Sequence, residues 1–462
     1  MINQNYLGEE KVSKLLLKFS VPCILSLLIG ALYNIADQIF IGNSSIGFLG
    51  NTATTVVYPI TVITLAFALF FGDGTAAFLS LCQGKKDTAK IHKSVGNMLI
   101  CSLIVSALIM LIVGFGMDSI LYKFGATDNS FSLAKDYCKI VLIGVPFYMI
   151  STALGSIIRA DGNPKFAMIS MLLGAIINIV LDPILIFVFN LGIKGAAFAT
   201  ITGQIISFIF SISYLFKAKT FKLSLQSFVL DFKLIIIFCK LGISSFLTQI
   251  SIVIMSVVSN YVLKKYGLLS EYGGDIPVAV YGIVMKIYQI VISIVIGVAA
   301  GGQPIIGYNF GAAKFARVKK TYKYIIITSL IVSTIFFVLF ESVPAFVIGL
   351  FGSESELYVK FGNMTLRIYL LLIIFTCTMK VSAIFLQALG NPLKSMLLSL
   401  VRDIVILVPL TLILPISMGI EGVLWAAPIS DIFGIILTIV LVATEMKKIN
   451  RIEMKNVLNN EF

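Results

Sequence analysis

Charged residues are scarce in this chain. Asp, Glu, Lys and Arg together supply 12% of its 462 residues, whereas hydrophobic residues supply 58% and the mean hydropathy is +1.02. A soluble globule of this length needs far more polar side chains to cover its surface. The composition therefore excludes a soluble protein and predicts one that lives in a lipid bilayer.

Residues that commonly carry catalysis or bind metals are also few. His92 is the only histidine, and we expect it in a solvated loop among lysines, so a multi-histidine metal site is excluded. The six cysteines have no C-x-x-C spacing and are expected to be small buried hydrophobic residues. No set of nucleophile, base and orienting residue is recognisable, so we do not expect an enzyme.

The apolar residues fall in twelve runs of about 20 residues, which is the length a helix needs to cross roughly 30 Å of hydrocarbon. The predicted spans lie at 15–40, 51–72, 94–117, 136–159, 166–189, 196–216, 234–262, 277–300, 321–346, 362–388, 395–415 and 422–444. The first run is too long for a signal-peptide core and has no small-residue cleavage site, so we expect it to be retained. The sequence predicts an all-α polytopic membrane protein.

Basic residues are concentrated on one side of the predicted spans. With both termini in the cytoplasm, the cytoplasmic segments contain 23 Lys and Arg residues and the opposite loops contain 6. This bias predicts cytoplasmic termini and accounts for most of the net charge of +13. Because the basic residues form loop clusters rather than a groove interleaved with aromatic residues, we do not expect a nucleic-acid partner.

Turn motifs recur along the chain at an almost constant offset of 227 or 228 positions. The matching pairs are Gln83-Gly84 with Phe310-Gly311, Phe124-Gly125 with Phe351-Gly352, Gly162-Asn163-Pro164 with Gly390-Asn391-Pro392, and Gly192-x2-Gly195 with Gly419-x2-Gly422. Such a register indicates an internal duplication. Since each copy holds six spans, both copies enter the membrane from the same side, and the repeat is parallel with a pseudo-two-fold axis along the membrane normal.

The duplication divides the chain into two six-helix bundles. We place the N-terminal bundle at 1–216, a cytoplasmic linker at 217–233, the C-terminal bundle at 234–446 and a cytoplasmic tail at 447–462. The apolar positions of the linker would allow part of it to lie on the membrane surface, and a plain linker fits the sequence equally well. Parallel bundles of this kind are typical of transporters whose substrate crosses between the halves.

A small set of polar residues lies at membrane depth in the first half. Asp37 lies late in the first span, and Asn178 and Asp182 are one turn apart on one face of the fifth. Ala196 and Thr200 have the same spacing on the sixth span. Two carboxylates, an amide oxygen, a hydroxyl and a carbonyl suit a hard cation such as Na⁺. The same set would suit a proton, because two carboxylates in a low dielectric cannot easily both ionise.

Buried charges can also serve structure alone. In the first half, Asp182 would then pair with Arg159 or Lys139, and Asp37 would face water near the interface. In the second half, charges at membrane depth would either neutralise one another or line a substrate pathway. These charges are Lys380, Arg402, Asp403 and Asp431. Because Arg402 and Asp403 are adjacent in sequence, their side chains are expected to point in different directions.

Aromatic and methionine side chains on central spans are candidates for a broad drug cavity, because such surfaces repack around different ligands. The candidates are Tyr33, Phe67, Phe147, Tyr148, Met149, Met255, Tyr281, Met285 and Tyr288. Packing between helices is the alternative role for each of them.

Over nearly its full length the sequence resembles the multidrug and toxic compound extrusion (MATE) transporters, and within them the MepA-like exporters of Gram-positive bacteria. Beyond the two halves and their paired turns, the resemblance rests on Ser20-Val21-Pro22 followed by Asp37, on Asn178-x3-Asp182-Pro183, and on Gly192-x2-Gly195-Ala196-x3-Thr200. It implies that Asp37, Asn178, Asp182, Thr200 and the Ala196 carbonyl form a cation site, where Na⁺ or H⁺ drives bending of the first helix and release of drug. It does not extend to a second, C-terminal cation site, because the seventh span contains no acid.

We therefore expect a monomeric, multi-pass antiporter of the cell membrane that exports amphipathic, cationic drugs or dyes in exchange for Na⁺ or H⁺ by alternating access. Membrane lipids are its further expected partners, and a bound Na⁺ is the one ligand expected in place of a cofactor. A lipid-linked precursor flippase of the same broader superfamily is the main alternative, favoured by the basic residues Lys286, Arg367, Lys380 and Arg402. A passive channel would show no dependence on an ion gradient.

Overall fold

The computed structural model describes residues 6–44, 48–126, 128–349 and 356–460, and this part of the chain consists of helices and turns without a strand. The helices are α1 (Tyr6–Glu9), α2 (Val12–Gly42), α3 (Phe48–Lys85), α4 (Thr88–Lys123), α5 (Asp128–Ala160), α6 (Pro164–Pro183), α7 (Ile193–Ser213), α8 (Phe232–Gly267), α9 (Asp275–Gly311), α10 (Phe315–Ser342), α11 (Pro344–Gly349), α12 (Glu356–Tyr369), α13 (Ile373–Ala388), α14 (Pro392–Leu400), α15 (Leu407–Met418) and α16 (Ile420–Asn460). The predicted turn at Phe351-Gly352 and the last two residues of the predicted tail lie outside the described residues.

Eleven helical segments of the described chain are long and apolar enough to cross a membrane, and one bent pair brings the number to twelve. The prediction of an all-α polytopic protein is thereby confirmed. The bent pair is α12 and α13, which form an angle of 50° across residues 370–372. The sequence predicted a single span at 362–388 and gave no sign of the bend, because three leucines occupy 370–372. At the other end of the second half, α16 continues through most of the predicted tail.

The two Gly-Asn-Pro turns start helices in the same way. Gly162 and Gly390 have φ angles of +86° and +77°, in the left-handed region that suits glycine. Pro164 and Pro392 are the first residues of α6 and α14, where the missing N–H leaves no helical hydrogen bond unmade. The repeated Gly-Asn-Pro motif therefore begins a helix at the equivalent place in each half.

Contacts between the halves repeat in the way that a pseudo-two-fold axis requires. A Cβ atom on Gly74 of α3 would lie 2.8 Å from the Gly242 nitrogen of α8, and one on Gly301 of α9 would lie 2.6 Å from the Ser20 Cα of α2. Gly301 follows Gly74 by 227 positions, and Gly242 follows Ser20 by 222. The contact of α3 with α8 is therefore the symmetry mate of the contact of α9 with α2, and both need small residues.

Two glycines from one pair of matching turns meet each other. Gly84 lies in the last turn of α3, and Gly311 is the last residue of α9. A Cβ atom on Gly311 would lie 3.2 Å from the Gly84 Cα. Residues related by a two-fold axis contact each other only close to that axis. The meeting of these turns therefore marks where the axis leaves the bundle.

Both ends of the described chain lie at one face of the bundle. Arg317, in the first turn of α10, donates to the Leu7 carbonyl in α1 at 3.0 Å. Two residues later, Lys319 forms an ion pair with Glu453 near the end of α16 at 2.6 Å. We call this face the terminal face, and the distribution of basic residues predicts that it is cytoplasmic.

Polar side chains join the halves near the terminal face. The Ser20 hydroxyl in α2 donates to the Val298 carbonyl in α9 at 3.2 Å. The Ser245 hydroxyl in α8 donates to the Asp73 carboxylate in α3 at 2.9 Å, and Ser156 in α5 donates to the same carboxylate at 2.7 Å. Asp73 was not singled out from the sequence, and it links three helices from both halves.

Replacing Gly84 with alanine is expected to destabilise the packing at the terminal face. The added Cβ would lie 2.7 Å from the Ala312 nitrogen, a backbone atom that cannot rotate away. We expect a loss of about 1–3 kcal/mol, seen as a lower midpoint of thermal unfolding of the purified protein in detergent. Gly114→Ala is the matched control, since its Cβ would meet nothing within 4 Å. Equal midpoints for the two variants would contradict the proposed packing.

Candidate cation site and charge network

The polar residues of the first half come from three neighbouring helices. Asp37 lies near the end of α2, Asn178 and Asp182 lie in the last two turns of α6, and Thr200 lies in α7. Pro183 follows Asp182 directly, and the chain continues as a π-helical turn at Ile184–Val188. Such turns are frequent at functional sites, and here one begins two residues after Asp182.

The structure brings these side chains together. The Asn178 amide nitrogen donates to an Asp182 carboxylate oxygen at 3.3 Å and lies 3.5 Å from the Thr200 hydroxyl oxygen. The carboxyl groups of Asp37 and Asp182 are close enough to interact electrostatically with each other. Asn178 and Asp182 are buried. The predicted cluster is therefore a real spatial cluster, with one carboxylate from α2 and one from α6.

Three buried oxygen atoms in this cluster have no hydrogen-bond donor among the residues that the structure describes. They are Asp37 Oδ1, Asn178 Oδ1 and Asp182 Oδ2. An unpaired buried carboxylate oxygen is costly, so the set calls for a positive charge or a shared proton. Carboxylate and amide oxygens are the ligands that hard cations prefer, and the residues present therefore fit a cation such as Na⁺.

No basic side chain in the described ranges pairs with Asp182. Arg159 instead lies 3.9 Å from Asp73 and donates to the Ser156 hydroxyl at 2.8 Å. Lys139 is exposed. The alternative in which Asp182 pairs with Arg159 or Lys139 is therefore wrong for this structure.

Tyr137 is a member of this site that the sequence did not indicate. It is buried in α5, where its hydroxyl lies near Thr200, Asp37 and Asp182. Nothing in its local sequence separates it from other aromatic residues of the spans. Ala196 is fully buried one turn before Thr200 in α7, and the part of its carbonyl in cation binding stays a prediction.

The charges of the second half form a closed network. Lys380 in α13 binds Asp403 at 2.6 Å, and Arg402 binds Asp403 at 2.7 Å and Asp431 at 2.8 Å. Thr376 donates to the other oxygen of Asp431 at 2.8 Å. Two positive and two negative charges thus balance each other. This geometry favours the structural alternative, in which the four residues neutralise one another.

One expectation about this network was wrong. Arg402 and Asp403, expected to point in different directions, form an ion pair with each other. They lie in the π-helical turn Val401–Ile406 between α14 and α15, and the long arginine side chain reaches back over its neighbour. Adjacency in sequence therefore did not decide which charges meet.

The candidate cavity residues do not gather in one place. Met255 and Tyr281 are buried in the core of the C-terminal half, where the Tyr281 hydroxyl lies 3.2 Å from that of Tyr369. Met285 and Tyr288 pack against the same core. In the N-terminal half, Tyr33, Phe147 and Tyr148 are half-buried, Met149 is buried, and Phe67 packs on Phe246 of α8 with ring centres 5.0 Å apart. Their role in drug binding stays a prediction.

A cavity of about 670 Å³ lies elsewhere, between α4 and α5. Its lining includes Phe115, Asp118, Lys135 and Lys139, and none of the candidate cavity residues. Lys135 and Asp118 form an ion pair at 2.7 Å across it. The cavity therefore contributes nothing to the predicted drug site.

Comparisons with known proteins agree with this architecture. The MatE family model matches residues 22–184 and 244–413, one stretch in each half. The multidrug export protein MepA of Staphylococcus saprophyticus is 26% identical over 431 residues, and that of Staphylococcus aureus is 27% identical over 432, with 92% of each chain covered.

Solved structures show the same fold. A multidrug resistance MATE family transporter in an outward-facing conformation is 24% identical with a TM-score of 0.89, covering 98% of this chain and 99% of that one. A MATE protein in a bent conformation is 23% identical with the same TM-score, covering 98% and 100%. The family match in both halves, together with this fold, shows that the chain belongs to the MATE family of multidrug efflux transporters.

Proposed function

We propose that this protein is an antiporter that exports amphipathic organic cations in exchange for Na⁺ or H⁺ moving inward. The observation that carries the proposal is a set of three buried oxygens, on Asp37, Asn178 and Asp182, for which the described part of the chain supplies no hydrogen-bond donor. These residues would hold a Na⁺ ion, or the two carboxylates would share a proton. In either case the positive charge would neutralise the buried pair.

The placement of the two carboxylates connects the ion to helix movement. Asp37 lies on α2 and Asp182 on α6, so without a positive charge the two helices carry repelling groups at close range. At its other end α2 packs on α9 through Ser20 and Gly301, in the contact between the halves. A shift of α2 caused by loss of the ion would therefore reach the interface that must change during alternating access.

Asp37→Asn and Asp182→Asn are expected to lower ion-driven efflux at least tenfold, because each removes one of the two charges that attract the ion. The measurement is efflux of a fluorescent organic cation from vesicles holding the purified protein, with Na⁺ and H⁺ gradients imposed separately. Asp118→Asn is the matched control, since this exposed carboxylate pairs with Lys135 away from the cluster.

Two outcomes would count against the proposal. If Asp37→Asn and Asp182→Asn both kept full gradient-driven efflux, the coupling ion would not bind at this site. If the rate of efflux by the parent protein were the same with and without each ion gradient, the antiport mechanism would be contradicted.

The substrate class follows from the family and from the balance of charge. The MepA relatives carry the name multidrug export protein. In the C-terminal half Asp403 and Asp431 balance Lys380 and Arg402, which leaves no net positive charge in that network for a lipid phosphate. As far as Lys380 and Arg402 are concerned, this balance favours export of organic cations over the flippase alternative.

A charge-neutral double variant separates these two functions. Lys380→Met alone leaves Asp403 with a single partner and is expected to lower stability by about 1–3 kcal/mol. Adding Asp403→Leu removes the unbalanced charge, so the double variant should recover most of that stability and export the fluorescent cation within about twofold of the parent. Thermal midpoints and vesicle efflux give both readouts. Loss of transport in the stable double variant would favour a substrate that binds Lys380.

A further inference from the structure

The linker between the halves is fastened to α4 through its backbone. The Asn97 amide nitrogen donates to the Ser227 carbonyl at 3.2 Å and to the Val229 carbonyl at 3.0 Å. The Asn97 side-chain oxygen accepts the Asp231 N–H at 2.7 Å. One buried side chain thus fixes three positions of the linker, which is more than a flexible connection requires.

A second attachment lies at the start of the linker. Buried Asp161 accepts the backbone N–H groups of Lys219 and Thr220 at 2.8 and 2.9 Å. The Phe221 side chain is buried in the core of the N-terminal half. From Lys219 to Asp231, therefore, the linker belongs to the N-terminal half as a fixed surface element.

These contacts set the depth of the linker relative to the membrane. The Ser227 carbonyl packs so closely on Gly96 that a Cβ atom there would collide with it. Immediately after Asn97, α4 runs from residue 98 to residue 117 without a charged side chain. The linker therefore lies at the level where the hydrocarbon region begins.

At this level the linker exposes apolar side chains. Leu225 is 92% exposed, Phe232 is 71% exposed and Val229 is 59% exposed, and Phe228 and Leu230 are exposed beside them. Apolar side chains grouped in this way on a surface indicate contact with a partner or a membrane. Exposed Ile236 of α8 continues the same surface towards the lipid-facing part of the bundle.

The same segment carries positive charge that nothing in the described ranges neutralises. Lys217, Lys222 and Lys233 are exposed, and none of them forms an ion pair there. Lys93 and Asp231 form an ion pair at 3.0 Å, so Asp231 does not neutralise these three lysines and the net charge of the segment is positive. Apolar side chains beside free lysines at the edge of the hydrocarbon match a surface of anionic phospholipid.

We propose that residues 217–233 form an interfacial anchor that inserts its apolar side chains between phospholipids at the terminal face and binds anionic headgroups through Lys217, Lys222 and Lys233. The partner is the membrane surface itself, with phosphate as the recognised group. The anchor holds the N-terminal half at a fixed depth and does not depend on which ion drives transport.

Tryptophan fluorescence tests the depth of the anchor. The full chain with its one tryptophan removed, Trp425→Phe, is reconstituted with Leu225→Trp and exposed either to phospholipids brominated high on their chains or to aqueous acrylamide. We expect strong quenching by the brominated lipid and weak quenching by acrylamide. Ala89→Trp is the matched control, because exposed Ala89 lies eight residues before Asn97 on α4, about 12 Å further towards water.

Headgroup preference tests the lysines. Brominated phosphatidylglycerol should quench the Leu225→Trp variant more than brominated phosphatidylcholine at equal mole fraction. Lys222→Gln with Lys233→Gln should remove most of this preference, which we expect to be about fivefold for each lysine. The substituted side chains are exposed, so folding is expected to be retained and is checked by thermal unfolding.

Three results would overturn the proposal. Acrylamide quenching equal to that of the Ala89→Trp variant would place the linker in water. Protection from both quenchers would show that it is covered by protein. Lipid quenching with a headgroup preference that is absent, or unchanged by the lysine substitutions, would remove anionic lipid as the partner.

Discussion

Close contact between helix backbones is the constraint on which this structure depends. Lipid tails are as apolar as leucine, so helices in a membrane gain little from hiding apolar side chains and associate by packing closely at small residues. Gly74 against Gly242, and Gly301 against Ser20, provide this packing twice, once for each copy of the repeat. The hydrogen bond from Ser20 to α9 forms because these backbones are close. Larger residues at these positions would separate the halves and remove the polar contacts beside them.

Features that depend on local sequence, such as helix spans and turns, could be predicted. Contacts between side chains that are distant in sequence could not. Run length and repeated turns gave the spans, and helical spacing placed Asn178 and Asp182 on one face. The bend between α12 and α13 could not be predicted, because no glycine or proline occurs at residues 370–372. Tyr137 and Asp73 act through partners on other helices, which only the fold reveals. The pairing of Arg402 with its neighbour depended on the reach of one side chain.

The two copies share a scaffold but differ in how they handle buried charge. At an offset of 227, the positions of Asn178, Asp182 and Thr200 are taken by Val405, Pro409 and Ala427. The first half keeps carboxylate oxygens that have no hydrogen-bond partner among the described residues. The second half supplies its own cations, since lysine and arginine side chains occupy the surroundings of its acids. If the first bundle binds an exchangeable cation as proposed, the symmetric shell is electrically asymmetric, since the second bundle balances its acids with its own lysine and arginine.

Helix α1 is hydrogen-bonded to both halves. The Tyr6 hydroxyl donates to the Gly162 carbonyl of the first half at 3.2 Å, and carbonyl groups of α1 accept hydrogen bonds from the second half. Arg317 and Asn309 hold the Leu7 carbonyl, and Arg317 also holds the Glu10 carbonyl at 2.6 Å. Only residues 10 and 11 connect α1 to α2. Two extended residues span about 7 Å, so α1 and these two residues form a short connection between the second half and the start of α2. Its length limits how far the start of α2 can move from α10 before these hydrogen bonds break.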